Sequence, residues 1–277
     1  MKKIIVPVDF SEYSDRALQT ASYLAKTFDA EVLPVHMLEL SNALITRSEN
    51  AVNEQTIFYY KLAEKRFKEF LDKDYLQEVK LTPIIKHFKV FSELNALARE
   101  ENADMIIMGS HGATGAKEFF VGSNTEKVVR NAEIPVLVIK NEAVTTSFKS
   151  AVFACDFSDE DVAPYQKAKD LLSNFSCAVD LLHVNTPNSK FRSTKEMQEK
   201  VANFLQKAEG SIANMDKVHY VADYTIEDGI LEFSNVHGKD VIIMATHGRR
   251  GLQHFIEGSI SEDVANHATL PVLTFKI

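Results

Sequence analysis

Two hydrophobic patterns alternate along the whole chain. Short runs that are apolar at nearly every position, such as IIVPV (residues 4–8) and MIIM (residues 105–108), are separated by longer segments with an apolar residue every three or four positions. The first pattern is typical of strands covered on both faces, and the second of amphipathic helices. Strands that alternate with helices predict an α/β protein with a parallel, doubly wound sheet.

The patterns predict the same order of elements in both halves of the chain. In the first half, strands are expected at residues 3–9, 31–37, 81–87, 104–109 and 135–140. The helices of that half are expected near residues 14–28, 53–73, 92–101 and 124–132. In the second half, strands are expected at residues 149–155, 178–183, 217–222, 240–245 and 272–276.

The two halves also repeat each other in sequence. KKIIVPVDFSE (residues 2–12) matches KSAVFACDFSDE (residues 149–160), and ADMIIMGSHG (residues 103–112) matches KDVIIMATHG (residues 239–248). Matching positions are 147 residues apart in the first pair and 136 in the second, so the first half is longer by 11 residues. We place the extra residues in the polar stretch around residues 41–55.

The repeat predicts a tandem of two α/β domains, each with a five-stranded parallel sheet. The chain has 277 residues, which is enough for two domains of ordinary size. We place the first domain at residues 1–140, a linker at residues 141–150 and the second domain at residues 151–277.

Composition and charge narrow the possible partners and location. The net charge of −8 is unfavourable for non-specific binding to nucleic acid or to anionic membranes. No apolar stretch approaches the roughly 20 residues that cross a bilayer, and the apolar run near the N-terminus is too short for a signal peptide. The two cysteines cannot form a disulfide framework. We therefore expect a cytoplasmic protein that binds neither nucleic acid nor a membrane.

A glycine-rich loop, GSHGATGAKEFFVGS (residues 109–123), joins a predicted strand to a predicted helix. One interpretation is structural: the glycines are turn residues with positive φ, and Ser123 with Glu126, like Ser259 with Glu262, forms a capping box. The other interpretation is a phosphate-binding loop, because glycines let an anion approach the N–H groups of a helix start.

An acidic residue is expected beside this loop. Asp9 follows the first strand and Gly109 follows the fourth, and ligands of open α/β sheets bind beyond the carboxyl ends of strands. The carboxylate suits the base or ribose of a nucleotide, and the loop suits its phosphates. The loop matches neither the Rossmann fingerprint nor the Walker A motif.

Four features of the first half resemble the universal stress protein family. They are the spacing Gly109-x2-Gly112-x9-Gly122-Ser123 and the segments VPVDFSE, IIMGSHG and PVLVIK. The resemblance covers both halves and implies an adenine nucleotide α hydrolase-like, flavodoxin-like three-layer sandwich in each. It also implies a stress-response or signalling module that binds ATP, mainly through its first domain.

The resemblance implies which residues bind the nucleotide. In members that bind ATP, the acid after strand one and the residue after strand two contact the adenine side, while the glycines and the serine with its neighbours hold ribose and phosphates. Carried over by position, these residues are Pro7, Asp9, Val35, Met108, Gly109, His111, Gly112, Gly122, Ser123, Asn124 and Thr125. We assign no catalytic residue and no protein metal ligand, and Mg²⁺ would arrive with the ATP.

The second half departs from this pattern. Ala245 stands where the first half has Gly109, and its Cβ would block a phosphate or forbid a turn with positive φ. Glu257 would repel phosphate, whereas Arg249 and Arg250 would attract it. We expect the second half to bind the nucleotide weakly or not at all.

Two other functions stay open. The chain could be a nucleotide-free interaction scaffold, since some family members lack the motif, or a slow ATP hydrolase. Its protein partner is unknown from sequence. The apolar last strands, residues 135–140 and 272–276, would be sheet edges that need covering. We expect the two domains to pair through them, as single-domain members dimerise, and further homodimerisation is compatible with the sequence.

Overall fold

The computed structural model describes residues 1–38, 49–86, 90–110, 123–187, 191–246 and 260–277. The chain divides into two compact units. Unit 1 comprises Met1–Val128 and Ala132–Thr145, and unit 2 comprises Val129–Asn131 and Thr146–Ile277. Each unit contains a parallel sheet with helices, so the predicted tandem of α/β folds is confirmed.

The elements of unit 1 follow the predicted order. Its strands are β1 (Lys3–Pro7), β2 (Glu31–Met37), β3 (Lys80–Leu81), β4 (Ile84–Lys86), β5 (Met105–Gly109) and β6 (Val136–Ile139). Its helices are α1 (Glu12–Phe28), α2 (Glu49–Phe70), α3 (Val90–Glu101) and α4 (Ser123–Asn131), the last of which begins in unit 1. The sheet has the order β3-β2-β1-β5-β6, and β4 also pairs with β2.

Unit 2 repeats this arrangement. Its strands are β7 (Ser150–Ala154), β8 (Ala178–Asn185), β9 (Val218–Ala222), β10 (Val241–Thr246) and β11 (Val272–Lys276). Its helices are α5 (Val162–Ser173), α6 (Thr194–Glu209), α7 (Ile226–Val236) and α8 (Ile260–His267). The sheet has the order β11-β10-β7-β8-β9, with every pair parallel.

The edge strand of unit 1 is split, whereas a single strand was predicted at residues 81–87. In β2, Val32 pairs with Leu81 of β3, and Val35 pairs with Ile84 of β4. The break therefore consists of Thr82 and Pro83 and lies opposite Pro34, and neither proline has an N–H group to donate to a neighbouring strand. The matching edge of unit 2 has no proline opposite it, and β9 is continuous.

The strands near the middle of each sheet form the core. Every residue of β5 is buried, and so are the central residues of β1, as expected for strands covered by helices on both faces. Helix α2 is longer than its counterpart α6, with 22 residues against 16, so part of the extra length of the first half lies in a helix. No described helix is long and apolar enough to cross a membrane. The pairing of the domains through their last strands stays a prediction.

Candidate functional site

Parallel pairing brings the predicted residues at the strand ends to one edge of the unit 1 sheet. Pro7, the last residue of β1, pairs with Val35 of β2, and the N–H of Val8 donates to the Val35 carbonyl oxygen at 2.8 Å. On the other side of β1, Ile5 pairs with Ile106 of β5. The carboxyl ends of β1, β2 and β5 therefore lie side by side.

The carboxylate of Asp9 is oriented by the start of helix α1. Its Oδ1 atom accepts hydrogen bonds from the Ser11 N–H at 3.0 Å and from the Ser11 hydroxyl at 2.6 Å. The Ser11 hydroxyl in turn caps α1 by accepting from the Ser14 N–H at 3.2 Å. Asp9 thus has a structural role in the turn, in addition to any contact with a ligand.

An aromatic cluster supports the other side of this turn. Phe10 has a φ of 67°, and its ring centroid lies 4.4 Å from that of His36 and 5.9 Å and 5.6 Å from those of Phe67 and Phe70. His36 donates from Nδ1 to the Val8 carbonyl oxygen at 2.7 Å. Burial lowers the pKa of His36, which favours the neutral ring at physiological pH. The turn after β1 therefore packs the Phe10 ring against His36, Phe67 and Phe70 of unit 1.

The need for glycine at position 109 comes from helix α1. A Cβ on Gly109 would lie 2.7 Å from the backbone carbonyl carbon and oxygen of Tyr13, which is closer than real contacts allow. Gly109 has no positive φ, so of the two roles considered for this glycine the left-handed turn does not apply. Close packing of α1 on the end of β5 explains this glycine, and the neighbouring Met108 is buried in the same strand.

Helix α4 begins at the same edge of the sheet. The hydroxyl of Thr125 donates to the Gly109 carbonyl oxygen at 2.9 Å, and Thr125 is buried. The bond fixes the first turn of α4, which starts at Ser123, beside the end of β5. Asn124 is exposed next to it. The N-terminus of a helix attracts anions, so this turn is suited to phosphate.

Part of the predicted site lies outside the described residues. This applies to His111, Gly112, Gly122, the side chain of Ser123 and the matching loop of unit 2. The two predicted capping boxes, Ser123 with Glu126 and Ser259 with Glu262, also depend on side chains outside the described residues, namely those of Ser123, Ser259 and Glu262.

In unit 2 the acid that matches Asp9 is paired with a lysine. The Asp156 carboxylate lies 3.4 Å from the Lys200 Nζ atom of helix α6. Lys200 lies four residues before Phe204 in α6. The ring centroid of Phe204 lies 5.3 Å from that of Phe157, the phenylalanine of the second Asp-Phe-Ser motif. In unit 1 the residue four positions before Phe67 is Ala63. Helix α2 therefore presents an alanine where α6 presents a lysine.

The surroundings of Asp156 differ from those of Asp9 in two further ways. Arg192, Met197 and Lys200 line the small depression beside Asp156. In addition, α5 is preceded by a 3-10 turn, in which the Ser158 N–H donates to the Asp161 carboxylate at 3.2 Å. Burial, and then the neighbouring Asp156, raise the pKa of Asp161 to about 6. No signal in the sequence identified Lys200, because its contact spans 44 positions.

An open crevice adjoins the Asp9 turn in unit 1. It has a volume of about 350 Å³ and is lined by Phe10, Arg66, Glu69 and Phe70. Across the described parts of the chain, no three His, Cys, Asp or Glu side chains are grouped so as to hold a metal ion. Cys155 and Cys177 are free thiols, and burial raises the pKa of both.

Comparison with known proteins identifies the family of both halves. The model of the universal stress protein family matches residues 1–140 and 147–276. A universal stress protein of Methanocaldococcus jannaschii is 31% identical over 146 residues, which cover 50% of this chain and 82% of that protein. A universal stress protein of Synechocystis sp. is 23% identical over the full length of both chains.

Solved structures show the same fold over the whole chain. The crystal structure of a universal stress protein from Archaeoglobus fulgidus matches with a TM-score of 0.70 at 22% identity, and the match covers 99% of this chain and 96% of that one. The two family matches leave almost no residue of the chain outside them. The chain therefore belongs to the universal stress protein family, with two such domains in tandem.

Proposed function

We propose that unit 1 binds ATP, or a closely related adenine nucleotide, at the carboxyl edge of its sheet, as part of a stress-response or signalling role. One arrangement carries the proposal. The Asp9 carboxylate stands at the end of β1, and the first turn of α4 is tied to the end of β5 through Thr125 and Gly109. The strand ends that carry these groups lie side by side in one parallel sheet.

The roles of the residues follow from their chemistry. Asp9 would accept hydrogen bonds from the base or ribose, and apolar Pro7, Val35 and Met108 would border the base. Gly112, Gly122, Ser123, Asn124 and Thr125 would provide the loop and helix start that hold the phosphates, with Gly109 and His111 beside them. Mg²⁺ would arrive with the nucleotide and be held by its phosphates.

Unit 2 is proposed to bind the nucleotide weakly or not at all. Lys200 lies against Asp156, so a base or ribose would have to displace an ion pair. Arg192 and Met197 line the depression beside the acid. The asymmetry expected from the loop sequences is therefore supported by contacts of the described residues.

The proposed role is binding rather than rapid turnover. His36 donates its Nδ1 hydrogen to a backbone carbonyl, and the buried ring has a lowered pKa. His183 of unit 2 is held in the same way by the Cys155 carbonyl at 3.3 Å. These two histidines therefore support the turns after β1 and β7. ATP would stabilise unit 1 by mass action and change the surface that it presents to a protein partner.

Isothermal titration of Mg²⁺-ATP into the full chain tests the proposal. We expect one saturable site in the wild type, lost in Gly112→Val and kept in Gly248→Val, the matched change in unit 2. Far-ultraviolet circular dichroism and thermal unfolding of both variants would confirm that they fold. GTP serves as a competitor that keeps the phosphates and changes the base.

Other outcomes separate the alternatives. Two sites of equal affinity would contradict the asymmetry between the units. No heat, together with no competition by ATP analogues, would leave the interaction scaffold as the function. Continuous phosphate release over many turnovers per protein molecule, even at a low rate, would instead indicate an ATP hydrolase.

A further inference from the structure

The edge strand of the unit 2 sheet has one open side. Strand β9 (Val218–Ala222) is the last strand in the sheet order of unit 2, and it pairs with β8 along its whole length. Among the described residues, no strand lies on its other side. An edge strand of this kind presents a row of backbone N–H and C=O groups to which another strand can bond.

The register with β8 shows which backbone groups of β9 face outwards. The N–H of Asp223, directly after β9, donates to the carbonyl oxygen of Asn185 in β8 at 3.4 Å. Successive residues of a strand direct their N–H and C=O groups to opposite sides. The groups of the residue before Asp223, and of every second residue before that one, therefore face away from β8. These residues are Val218, Tyr220 and Ala222.

The outward-facing side of β9 offers two donors and three acceptors. The N–H of Val218 already donates to the carbonyl oxygen of Met215 in the preceding 3-10 turn. The N–H groups of Tyr220 and Ala222 remain on the open side, together with the carbonyl groups of all three outward residues. The side chains agree with an open edge, since Tyr220 is 37% exposed and Ala222 is exposed as well.

The matching edge of unit 1 is protected against pairing, whereas β9 is not. In unit 1 the edge consists of the short strands β3 and β4, which are separated by Thr82 and Pro83, and β3 carries the exposed Lys80. Short strands, prolines and lysines are the usual means that keep an edge from pairing with another chain. Strand β9 is continuous, and its sequence VHYVA contains no proline or lysine and is rich in residues that favour strands.

The charges at the two ends of β9 favour an antiparallel partner of the same sequence. Lys217 directly precedes the strand and is exposed, and Asp223 directly follows it and is partly exposed. When two β9 strands pair antiparallel with Tyr220 opposite itself, Lys217 of one copy lies opposite Asp223 of the other. A parallel pair in the same register would place like charges opposite each other. Opposite charges stabilise a cross-strand pair, and like charges destabilise it.

We propose that the chain forms a symmetric homodimer by antiparallel pairing of β9 with β9 of a second copy, with Tyr220 at the twofold axis. The N–H of Tyr220 in each copy donates to the Tyr220 carbonyl oxygen of the other. The N–H of Ala222 donates to the Val218 carbonyl oxygen of the other copy. Both outward donors are thereby satisfied, and the interface closes at two copies because each copy uses the same edge.

Sedimentation velocity of the full chain without nucleotide, from low micromolar to nearly millimolar concentration, tests this proposal. We expect a reversible monomer–dimer equilibrium for the wild type. Tyr220→Pro removes the donor at the twofold axis and leaves the pairing with β8 in place, because this N–H faces away from β8. It should raise the dimer dissociation constant about tenfold or more. The control Tyr220→Phe keeps the N–H and the ring, and should change the constant less than about twofold.

A charge exchange tests the antiparallel register. Lys217→Glu should raise the dissociation constant about threefold or more, and adding Asp223→Lys should restore it. The control Lys65→Glu makes the same change of charge on unit 1, where the side chain is 76% exposed, and should have no effect. Weakening by Lys217→Glu without recovery in the double variant would overturn this register.

Amide hydrogen exchange of the wild type gives a readout that does not depend on any variant. At concentrations that form the dimer, exchange at the N–H groups of Tyr220 and Ala222 should slow. Exchange at His219 and Val221, whose N–H groups face β8, should be slow at every concentration. A monomer throughout, a dimer that withstands Tyr220→Pro in a protein that circular dichroism shows to be folded, or a dimer with fast exchange at Tyr220 and Ala222 would overturn the proposal.

Discussion

The hydroxyl of Thr125 and the carbonyl oxygen of Gly109 form a buried hydrogen bond of 2.9 Å. Through this bond the first turn of α4 is attached to the last residue of β5. The two ends of the glycine-rich loop are thereby held together without any contribution from a ligand. The loop is closed at its base before a nucleotide arrives, which reduces the entropy lost on binding.

Replacing Thr125 by valine should loosen this attachment. The change keeps the shape of the side chain but removes the donor, so we expect unit 1 to lose about 1–3 kcal/mol of stability. Urea unfolding, read separately for the two units with and without ATP, measures the loss. Thr125→Ser keeps a hydroxyl, as Ser261 does at the matching position of unit 2, and should retain most of the stability. Equal unfolding midpoints for the valine and serine variants would contradict this role of the hydroxyl.

Placing a lysine at position 63 should give unit 1 the charge arrangement of unit 2. In Ala63→Lys the new ammonium group would reach towards Asp9, as Lys200 does towards Asp156. If Asp9 contacts the nucleotide, we expect ATP affinity to fall by about tenfold, since an ion pair must be displaced. Isothermal titration measures the effect.

The control for this change is Glu64→Lys, which alters the net charge by more but lies on the exposed side of α2. It should leave ATP affinity nearly unchanged. Because Ala63 is buried, thermal unfolding must show that the lysine variant is folded. Unchanged affinity in a folded Ala63→Lys protein would mean that the Asp9 carboxylate makes no contact with the ligand.

Stability at alkaline pH should respond to Lys140. This residue follows β6 and is 4% exposed, and its burial lowers the pKa of the ammonium group from 10.5 to about 8. The unfolded chain therefore holds this proton more tightly than the folded chain. Between pH 8 and 10.5 the unfolded chain binds more protons at this residue than the folded chain, so the free energy of unfolding increases with pH in that interval. Below pH 8 the buried ammonium group lowers the free energy of unfolding by a constant amount.

Lys140→Met should remove the free-energy cost of burying the charged ammonium group. We expect the variant to be more stable than the wild type at pH 7, by at most about 3 kcal/mol, with the difference shrinking as the pH rises above 8. Chemical unfolding at several pH values between 7 and 10 measures the trend. A gain that is independent of pH would show that methionine improves packing rather than removing a buried charge.

The order of the elements was predictable because buried parallel strands and amphipathic helices leave distinct patterns. Strand β2 at Glu31–Met37 and strand β11 at Val272–Lys276 match the expected residues at both ends. The split of the edge strand was not predicted, although Pro83 lies within the strand expected at residues 81–87 and a proline inside a run argues against a continuous strand. That Pro34 lies opposite the break depends on register, which is set by the fold and is not visible in either segment alone.

The strand-end residues of the site were predictable for the same reason. Parallel strands place their carboxyl ends together, so the strand ends that carry Asp9, Val35 and Gly109 lie side by side. The reason for Gly109 was not predictable, since its neighbour is the backbone of Tyr13 from another element. The Asp156–Lys200 pair likewise joins a strand end to a helix far along the chain. By contrast, the hydrogen bond between Ser11 and Asp9 could have been predicted, because an aspartate side chain often accepts a hydrogen bond from the backbone N–H two residues later.

The phenylalanine of the Asp-Phe-Ser motif adopts a left-handed conformation in both units, with φ of 67° at Phe10 and 59° at Phe157. A bulky residue is disfavoured there by roughly 1–2 kcal/mol, and the aromatic contacts of the motif offset this cost in each unit. The motif therefore stabilises the turn after the first strand of each unit whether or not that unit binds a ligand. An intact Asp-Phe-Ser motif by itself thus indicates a folded turn and not a bound nucleotide.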